Sequence, residues 1–264
     1  MKKLLIFVLL GSVFFSCSEY QKVLKNEDIA PKYKMAESLY KEGKYKKALR
    51  LFEQIVPQYR GKPQAERVMY YYADTYYQLR DYYLAGYQYE RFVKSYPQSA
   101  KAEEAAFKSA KSYYENSPRF SLDQADTDKA IEKLQGFINK YPESDNLAIA
   151  NELVLELRTK KEQKAFEVAK GYHHREDYKV AIKTFDNYLI DYPGSKFKED
   201  VLYYRLESEY LLAIGSYESL VKDRLTTAQE FYKNYRKYYN EEGAYYDRAQ
   251  DIKEDLEKRL EQLN

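Results

Sequence analysis

Several residue types that build catalytic or metal sites are scarce in this chain of 264 residues, which has one Cys, two His, nine Gly and no Trp. A single Cys excludes an internal disulfide. The only histidines, His173 and His174, are adjacent, and neighbouring side chains on a helix point about 100° apart, so they cannot both face one metal ion. The glycines form no phosphate-binding loop, and no nucleophile-elbow sequence is present. We therefore expect no metal site, no bound cofactor and no enzymatic activity.

A charge excess of either sign is also missing. The chain has 44 Lys and Arg residues against 42 Asp and Glu residues. Two of the lysines, Lys2 and Lys3, belong to an N-terminal segment that we expect to be removed, which leaves 42 charges of each sign. Nucleic-acid binding requires a basic surface that neutralises phosphates, so nucleic acid is not an expected partner.

Long apolar runs are confined to the start of the chain. Residues 4–15 are almost purely apolar, two lysines precede them, and the small Ser16 stands before Cys17. This run is too short for a membrane-spanning helix, which needs about 20 residues, and it has the pattern of a secretory signal. Nothing downstream is apolar enough to span a membrane.

The residues around Cys17 resemble a bacterial lipobox, although Phe14 departs from the usual aliphatic residue three positions before the Cys. The resemblance implies that residues 1–16 are cleaved off and that lipid is attached covalently to Cys17. Two or more acyl chains give stable anchoring. Some bacterial lipoproteins that are exported to the cell surface carry a dense acidic run after the Cys, and this chain has none. We therefore expect an anchor on the outer membrane that faces the periplasm, with residues 17–30 as a tether. The alternative is a secreted protein with a free thiol.

A spacing that recurs four times in register dominates the rest of the chain. A small residue is followed after nine positions by a turn residue, after three more by Ala, after four by a large apolar residue and after seven by Tyr. The first copy has Ala36, Tyr45, Ala48, Phe52 and Tyr59; the second has Ala73, Tyr82, Ala85, Tyr89 and Tyr96; the fourth has Ala169, Tyr178, Ala181, Phe185 and Tyr192. The third keeps Thr127, Ala130, Leu134 and Tyr141, but its small residue, Ala110, lies eight residues too early. A period near 37 residues predicts stacked helix pairs that bury their apolar faces only against neighbouring pairs.

The predicted architecture is all-α, a solenoid of about five helix pairs with a C-terminal capping helix. The repeats are expected at residues 31–62, 63–98, 99–143, 144–194 and 195–240, and the cap at residues 241–264, with Ile252, Leu256, Leu260 and Leu263 along one side. An insertion is expected around residues 116–121, and a long helix from about Ser144 to Gly171. A degenerate fifth copy with the same excess spacing has Ser208, Leu225, Ala228, Tyr232 and Tyr239.

The repeated spacing resembles the tetratricopeptide repeat. Five such repeats behind a lipoprotein signal, with Tyr-Pro-x-Ser junctions at residues 96–99, 141–144 and 192–195, resemble the BamD-like lipoproteins of the machinery that inserts β-barrel proteins into bacterial outer membranes. The resemblance implies a scaffold that binds the periplasmic domains of the barrel-inserting subunit and receives unfolded outer-membrane proteins. In that family the N-terminal repeats are usually given the substrate role. The richness in Tyr, at 32 residues, and in Lys suggests a Bacteroidetes-like source.

The register also predicts a candidate binding surface, which we call the aromatic ladder, on the first helix of each pair. Positions three before and four after the small residue lie on one helix face, and a charged residue lies between them. The ladder consists of Tyr33, Glu37, Tyr40, Tyr70, Asp74, Tyr77, Phe107, Lys111, Tyr114, Phe166, Lys170 and His173. Tyr offers apolar contact area with a polar tip, which suits an extended polypeptide. The same rings can pack between adjacent first helices, and both interpretations stay open.

Two other functions compete with the scaffold hypothesis. A nutrient-binding lipoprotein of the SusD family is similar in its anchor and helices, but such chains are much longer and usually carry Trp for sugar stacking. A periplasmic repeat adaptor in envelope or peptidoglycan maintenance often adds a coiled-coil segment, which this sequence lacks.

Overall fold

The computed structural model describes residues 19–263, and every regular element in this range is a helix. A helical stretch at residues 19–25 precedes eleven longer helices. These are α1 (Ile29–Lys41), α2 (Tyr45–Tyr59), α3 (Ala65–Gln78), α4 (Tyr82–Ser95), α5 (Ala102–Glu115), α6 (Ala125–Lys140), α7 (Leu147–His174), α8 (Tyr178–Asp191), α9 (Lys198–Ile214), α10 (Glu218–Tyr238) and α11 (Tyr246–Gln262). The all-α prediction is confirmed.

Small residues allow the helices of a pair to approach closely. Ala36 of α1 and Ala48 of α2 are completely buried, as are Ala73 of α3 and Ala85 of α4. Larger side chains at these points would hold the helices apart, because the distance between helix axes depends on the side chains at the contact. The large apolar residues of the four copies, Phe52, Tyr89, Leu134 and Phe185, are completely buried as well. The repeated spacing therefore marks the core.

The short turns before α2, α4 and α8 each contain a residue whose backbone is in the left-handed conformation. Gly43, between α1 and α2, has a φ of 72°, and Arg80 and Glu176 occupy the corresponding turns before α4 and α8 with φ values of 60° and 64°. Gly adopts this conformation readily, whereas a residue with a Cβ does so at a cost of about 1 kcal/mol. Asp81 then caps α4, because its side chain accepts a hydrogen bond from the Leu84 backbone N–H at 3.2 Å.

One compact unit comprises the described residues up to Pro118 together with residues 123–157. In this unit α1 to α6 pack in chain order, each helix against the next. The beginning of α7 completes the core beside α5 and α6, since Ala150, Val154 and Leu157 are buried there.

The second unit comprises residues 119–122 and the chain from Arg158 onward. Its core combines Phe166 and Ala169 of α7 with buried side chains of α8 to α11. Helix α7 thus supplies one stretch of buried residues to each unit, which accounts for its length of 28 residues.

The C-terminal helix α11 packs against α9 and α10. Ile252 and Leu256 are buried in the contact and Leu260 packs at its margin, whereas Leu263 is 39% exposed. Three of the four residues that were predicted to line the apolar side of the cap therefore pack against the core.

The extra residues of the third and fifth copies are accommodated in different ways. In the third, residues 116–124 form the connection between α5 and α6, where the insertion was expected. In the fifth, the connection is only residues 215–217, and the excess lengthens α9 to 17 residues and α10 to 21 residues. The completely buried ring of α10 is Tyr235, whereas Tyr232 and Tyr239 are partly exposed.

The stretch at residues 19–25 is helical and packed, which differs from the expected tether. Tyr20 is only 6% exposed. Its hydroxyl donates to the Lys47 carbonyl at 3.2 Å, and the Lys47 ammonium lies 5.4 Å from its ring centroid. Burial of an aromatic ring is a large apolar contribution to stability. The signal sequence, residues 1–16, and the lipidation site Cys17 lie outside the described residues.

The Ser of each Tyr-Pro-x-Ser junction ties the end of a repeat to its own first helix. The hydroxyl donates to a Glu in each case: Ser99 to Glu66 at 2.5 Å, Ser144 to Glu103 at 2.5 Å and Ser195 to Glu162 at 2.7 Å. Each Ser also accepts a backbone N–H two residues further on. Each of these serines therefore forms a turn that leads into the next helix.

Candidate functional site

Nine of the twelve aromatic-ladder residues lie in the first unit, on the first helices α1, α3 and α5. Consecutive first helices meet through these residues. Tyr40 of α1 donates its hydroxyl hydrogen to Oδ2 of Asp74 in α3. The ring of Tyr40 also lies 4.7 Å from that of Tyr71, measured between centroids. The ladder positions of neighbouring repeats therefore touch, as the packing interpretation expects.

Asp74 is the centre of a buried polar cluster. Its side chain is 1% exposed and accepts hydrogen bonds from the Tyr89 hydroxyl at 2.5 Å and from the Lys108 ammonium at 2.6 Å. Burial pushes the pKa of Asp74 upward, but the hydrogen bonds from Lys108, Tyr40 and Tyr89 outweigh it and hold the pKa below its usual value. Asp74 is therefore a carboxylate at neutral pH, and the cluster that surrounds it fixes α3 between α1 and α5.

Lys108 of α5 is the cation of this cluster. Its ammonium also lies 5.6 Å from the ring centroid of Tyr70 and 5.9 Å from that of Tyr77. Burial lowers the pKa of Lys108, but the hydrogen bond to Asp74 and the nearby carboxylate raise it above its usual value. The ammonium thus remains charged, held by a carboxylate and by the faces of aromatic rings.

A second link between α3 and α5 runs from Tyr70 to Glu104. The Tyr70 hydroxyl donates to Glu104 Oε1 at 2.5 Å, and Lys108 lies 3.0 Å from the same oxygen. Although burial pushes the pKa of Glu104 upward, hydrogen bonds from Lys101, Tyr70 and Lys108 lower it to about 2. Tyr70, Glu104, Lys108 and Asp74 therefore form one network across the boundary between α3 and α5.

The remaining ladder residues of α1 and α3 have partners on the neighbouring helices. Tyr33 packs against Tyr59 with 5.6 Å between ring centroids. Glu37 forms ion pairs with Arg67 of α3 and, at 2.8 Å, with Lys41. Tyr77 packs edge-on against the buried Tyr89 at 6.3 Å, and against Tyr82 at 5.6 Å.

The three ladder residues of α5 differ in their surroundings. Phe107 is buried against Phe137, with 5.4 Å between ring centroids. Tyr114 donates its hydroxyl hydrogen to Glu156 of α7, and this hydrogen bond raises the pKa of Tyr114 to about 12. Lys111 is half-exposed, and no carboxylate of the described residues lies within ion-pair distance of it.

In the second unit, the ladder residues Phe166, Lys170 and His173 are also packed. Phe166 stacks on Phe197 at 5.6 Å between centroids, and the Lys170 ammonium lies 5.0 Å from the Tyr204 ring centroid. His173 is 8% exposed. Its Nδ1 lies 2.9 Å from Ser208 Oγ and its Nε2 lies 3.2 Å from Glu207 Oε2.

The aromatic ladder therefore divides into buried and half-exposed members. Asp74, Phe107, Phe166 and His173 are at most 9% exposed, so they support their neighbours and do not meet a ligand directly. The half-exposed members are Tyr33, Glu37, Tyr40, Tyr70, Tyr77, Lys111, Tyr114 and Lys170. In the first unit, the hydroxyls of Tyr40 and Tyr70 are held in place by Asp74 and Glu104.

The most important residue that sequence reasoning missed is Lys108. The ladder was defined by positions −3, +1 and +4 around each small residue, and Lys108 lies two residues before Ala110. Its equivalents in the first two copies are Lys34 and Tyr71, so the repeat carries no signal for it. The only available clue was that a Lys two residues before the small residue of a copy can face the first helix of the preceding repeat.

The described residues contain no group of three or more His, Cys, Asp or Glu side chains arranged to hold a metal ion. Along residues 19–263, none of the helices combines the length and the apolarity that a membrane crossing requires.

Comparison with known proteins gives one family. A family model described as YfiO, an outer membrane lipoprotein, matches residues 26–225. Among solved structures, the chain is similar to kinesin light chains of Podosopora anserina with nearly identical TPR-like repeats. One of them, a point variant, is 15% identical, with 78% of this chain and 91% of that chain covered and a TM-score of 0.33. A second is 15% identical, with 80% and 96% covered and a TM-score of 0.32. No curated protein matches the chain.

Proposed function

Because the chain belongs to the YfiO family of outer membrane lipoproteins, also called BamD, we propose that it is a lipid-anchored scaffold subunit of the β-barrel assembly machinery. In this role it binds the periplasmic domains of the barrel-inserting subunit and unfolded outer-membrane proteins. The observation that carries the proposal is the extent of the family match, residues 26–225 of 264. The proposed role is one of binding and requires no reaction at the protein surface.

The division of the chain into five repeats is part of this proposal. The helix order supplies five pairs, α1–α2, α3–α4, α5–α6, the second part of α7 with α8, and α9–α10, with α11 as the cap. Repeat arrays of this kind present the first helices of successive pairs as one continuous surface within a stack.

The half-exposed members of the aromatic ladder in the first unit are the proposed contact surface for unfolded chains. Tyr40 and Tyr70 keep their hydroxyls bonded to Asp74 and Glu104, so their ring positions are set before a ligand arrives. Pre-set aromatic groups lose little conformational freedom on binding. Among residues 19–263, no carboxylate lies within ion-pair distance of Lys111, so its ammonium adds attraction for acidic segments.

The machinery itself is tested by purification of the tagged full-length lipoprotein from membranes in mild detergent. The proposal expects a large β-barrel subunit with periplasmic domains to accompany it in stoichiometric amount. Recovery of a sugar transporter or of cell-wall enzymes in its place would contradict the proposal and would support the SusD-like or envelope-adaptor alternatives.

The contact surface is tested separately with a fluorescent peptide taken from a transmembrane strand of a barrel protein and carrying one Asp. Lys111→Glu is expected to weaken binding about tenfold, because attraction becomes repulsion at a surface position. The matched control is Lys46→Glu, an exposed charge reversal on the second helix α2. Equal weakening by both variants would show a non-specific charge effect. Unchanged affinity in Lys111→Glu would leave the ladder as packing alone.

A further inference from the structure

A groove in the first unit lies between α4 and α6, with α5 as its floor. It has a volume of about 510 Å³ and its apolar lining comes from Val93, Pro97, Ala106, Ala110, Phe137 and Tyr141. Helices α4 and α6 are the second helices of their pairs, and the α5 residues of the floor, Ala106, Ser109 and Ala110, are not members of the aromatic ladder.

The same place one repeat earlier contains a groove with a different floor. That groove, between α2 and α4 over α3, has a volume of about 420 Å³ and is lined by Met69 and Tyr72. The residues 37 positions later in the α5 floor are Ala106 and Ser109. Two large side chains are thus replaced by two small ones, and the floor between α4 and α6 is correspondingly open.

The wall of the groove is also reduced, at Gly136 in the middle of α6. The equivalent position, five residues before the Tyr of the junction, holds Gln54, Arg91 and Asn187 in the other copies. A Gly inside a helix costs about 1 kcal/mol relative to Ala. A Cβ built on Gly136 would meet no atom within 4 Å. The packing of this chain therefore gives no reason for Gly here, whereas close approach of a ligand to the α6 backbone does.

Some of the charged side chains around the groove form ion pairs and others do not. Lys133 spans it to Glu90 at 2.7 Å. Lys94 and Lys140 line the end where α4 and α6 terminate. In the part of the chain that the structure describes, neither of these two lysines has a carboxylate within ion-pair distance. The groove therefore combines an apolar interior with two lysines at the end where α4 and α6 terminate, whereas the carboxylate of Glu132 lines it two turns earlier in α6.

We infer that this groove is a docking site for an acidic segment of a partner polypeptide. An aliphatic or aromatic anchor side chain of the segment enters between Val93 and Phe137, next to Gly136, and a carboxylate of the segment meets Lys94 and Lys140. Apolar burial provides affinity and charge complementarity sets the direction of the segment. The inference does not depend on what the aromatic ladder binds.

The test uses the full-length lipoprotein in lipid nanodiscs and three fluorescent nine-residue peptides. The first has a central Leu-Phe anchor flanked by Glu, the second has Lys in place of Glu, and the third has Ala-Ala in place of the anchor. Fluorescence anisotropy is expected to show the first peptide binding at least about tenfold more tightly than the other two. Its affinity is expected to fall at about 0.5 M salt, because exposed charges are screened.

Gly136→Arg distinguishes blocking of the groove from loss of folding. It introduces the residue of the equivalent position in repeat two, and its thermal midpoint is expected to be equal or higher, because Arg is the better helix former. Binding of the first peptide is expected to fall about tenfold. Asn139→Arg, on the same helix but outside the groove lining, is the control with the same added charge.

Three results would overturn the inference. The first is equal affinity of Gly136→Arg and Asn139→Arg for the acidic peptide. The second is equal binding of all three peptides, or of none, by the unaltered protein. The third is self-association of the unaltered protein that Gly136→Arg abolishes, since the occupant would then be a second copy of this chain.

Discussion

At the scale of single residues, the unusual feature is the number of tyrosine hydroxyls that end on carboxylates of a neighbouring helix. Tyr40 and Tyr89 donate to Asp74, and Tyr70 donates to Glu104. Phenylalanine would fill the same space, but it could not satisfy a buried carboxylate. The richness in Tyr that the sequence displays is therefore explained by polar contacts inside the array as well as by any surface role.

Asp74→Asn tests the strength of this cluster. The variant leaves the ammonium of Lys108, which is 23% exposed, without its buried counter-charge, and removal of one partner of a buried pair costs about 3 kcal/mol. Urea unfolding followed by circular dichroism measures the loss. The control is Asp145→Asn, an exposed position of the same unit. If Asp74→Asn/Lys108→Met were no more stable than Asp74→Asn, the pairing argument would be wrong.

Glu104 predicts an acid-dependent loss of stability. Its pKa in the folded chain is about 2, below the value of about 4.3 for an unfolded Glu. The stabilisation by its charged form is therefore complete above about pH 4.3 and is lost as the pH falls toward 2. In Glu104→Gln the free energy of unfolding should change less between about pH 5 and pH 2. A parallel titration of Glu143→Gln, an exposed position, should retain the full dependence.

At the scale of helices, spacing predicted what repeats and missed what occurs once. The buried positions of Ala36, Ala73 and Phe185 were predictable, because helix periodicity fixes which residues face the partner helix. The packed stretch at residues 19–25 has no equivalent copy, so no comparison within the sequence could show it. The contacts of Lys108 depend on how α5 is rotated against α3, which a spacing along one helix does not determine.

Tyr20→Ala tests the packed N-terminal stretch. Tyr20 is 6% exposed, and removal of a buried aromatic ring costs about 3 kcal/mol. We expect faster amide hydrogen exchange at residues 19–25 and in the part of α2 near Lys47. Tyr83→Ala, at a position that is 71% exposed, is expected to leave exchange unchanged. Equal exchange in the two variants would mean that the N-terminal stretch adds nothing to the stability of the array.

At the scale of the whole molecule, helices contact mainly the helices that precede and follow them in the sequence. In each unit the pairs of contacting helices are almost all sequence neighbours. Stability in such arrays is approximately a sum over repeats and their nearest-neighbour interfaces. Damage at one place should therefore remain near that place.

Truncation after Asn240, which removes α11, tests this locality. Tyr203 loses the ring of Tyr245, stacked on it at 4.3 Å, and the apolar contacts of Ile252 and Leu256 are lost as well. Faster hydrogen exchange is expected in α9 and α10, with unchanged exchange in α1 to α4. A uniform increase along the whole chain would show cooperative unfolding instead. Truncation after Gln262, which keeps α11 intact, serves as the control.

The ion pairs between first helices also depend on the order of the repeats along the chain. From the first repeat to the second, Glu37 meets Arg67, whereas from the second to the third, Asp74 meets Lys108. The acid lies at the same position in both repeats, one residue after the small residue, but the cation that answers it comes from different positions of the next helix. Exchange of the first two repeats would therefore set mismatched partners side by side. Neighbouring repeats are therefore joined by different ion pairs. Duplication of one repeat would not reproduce the contacts at either boundary.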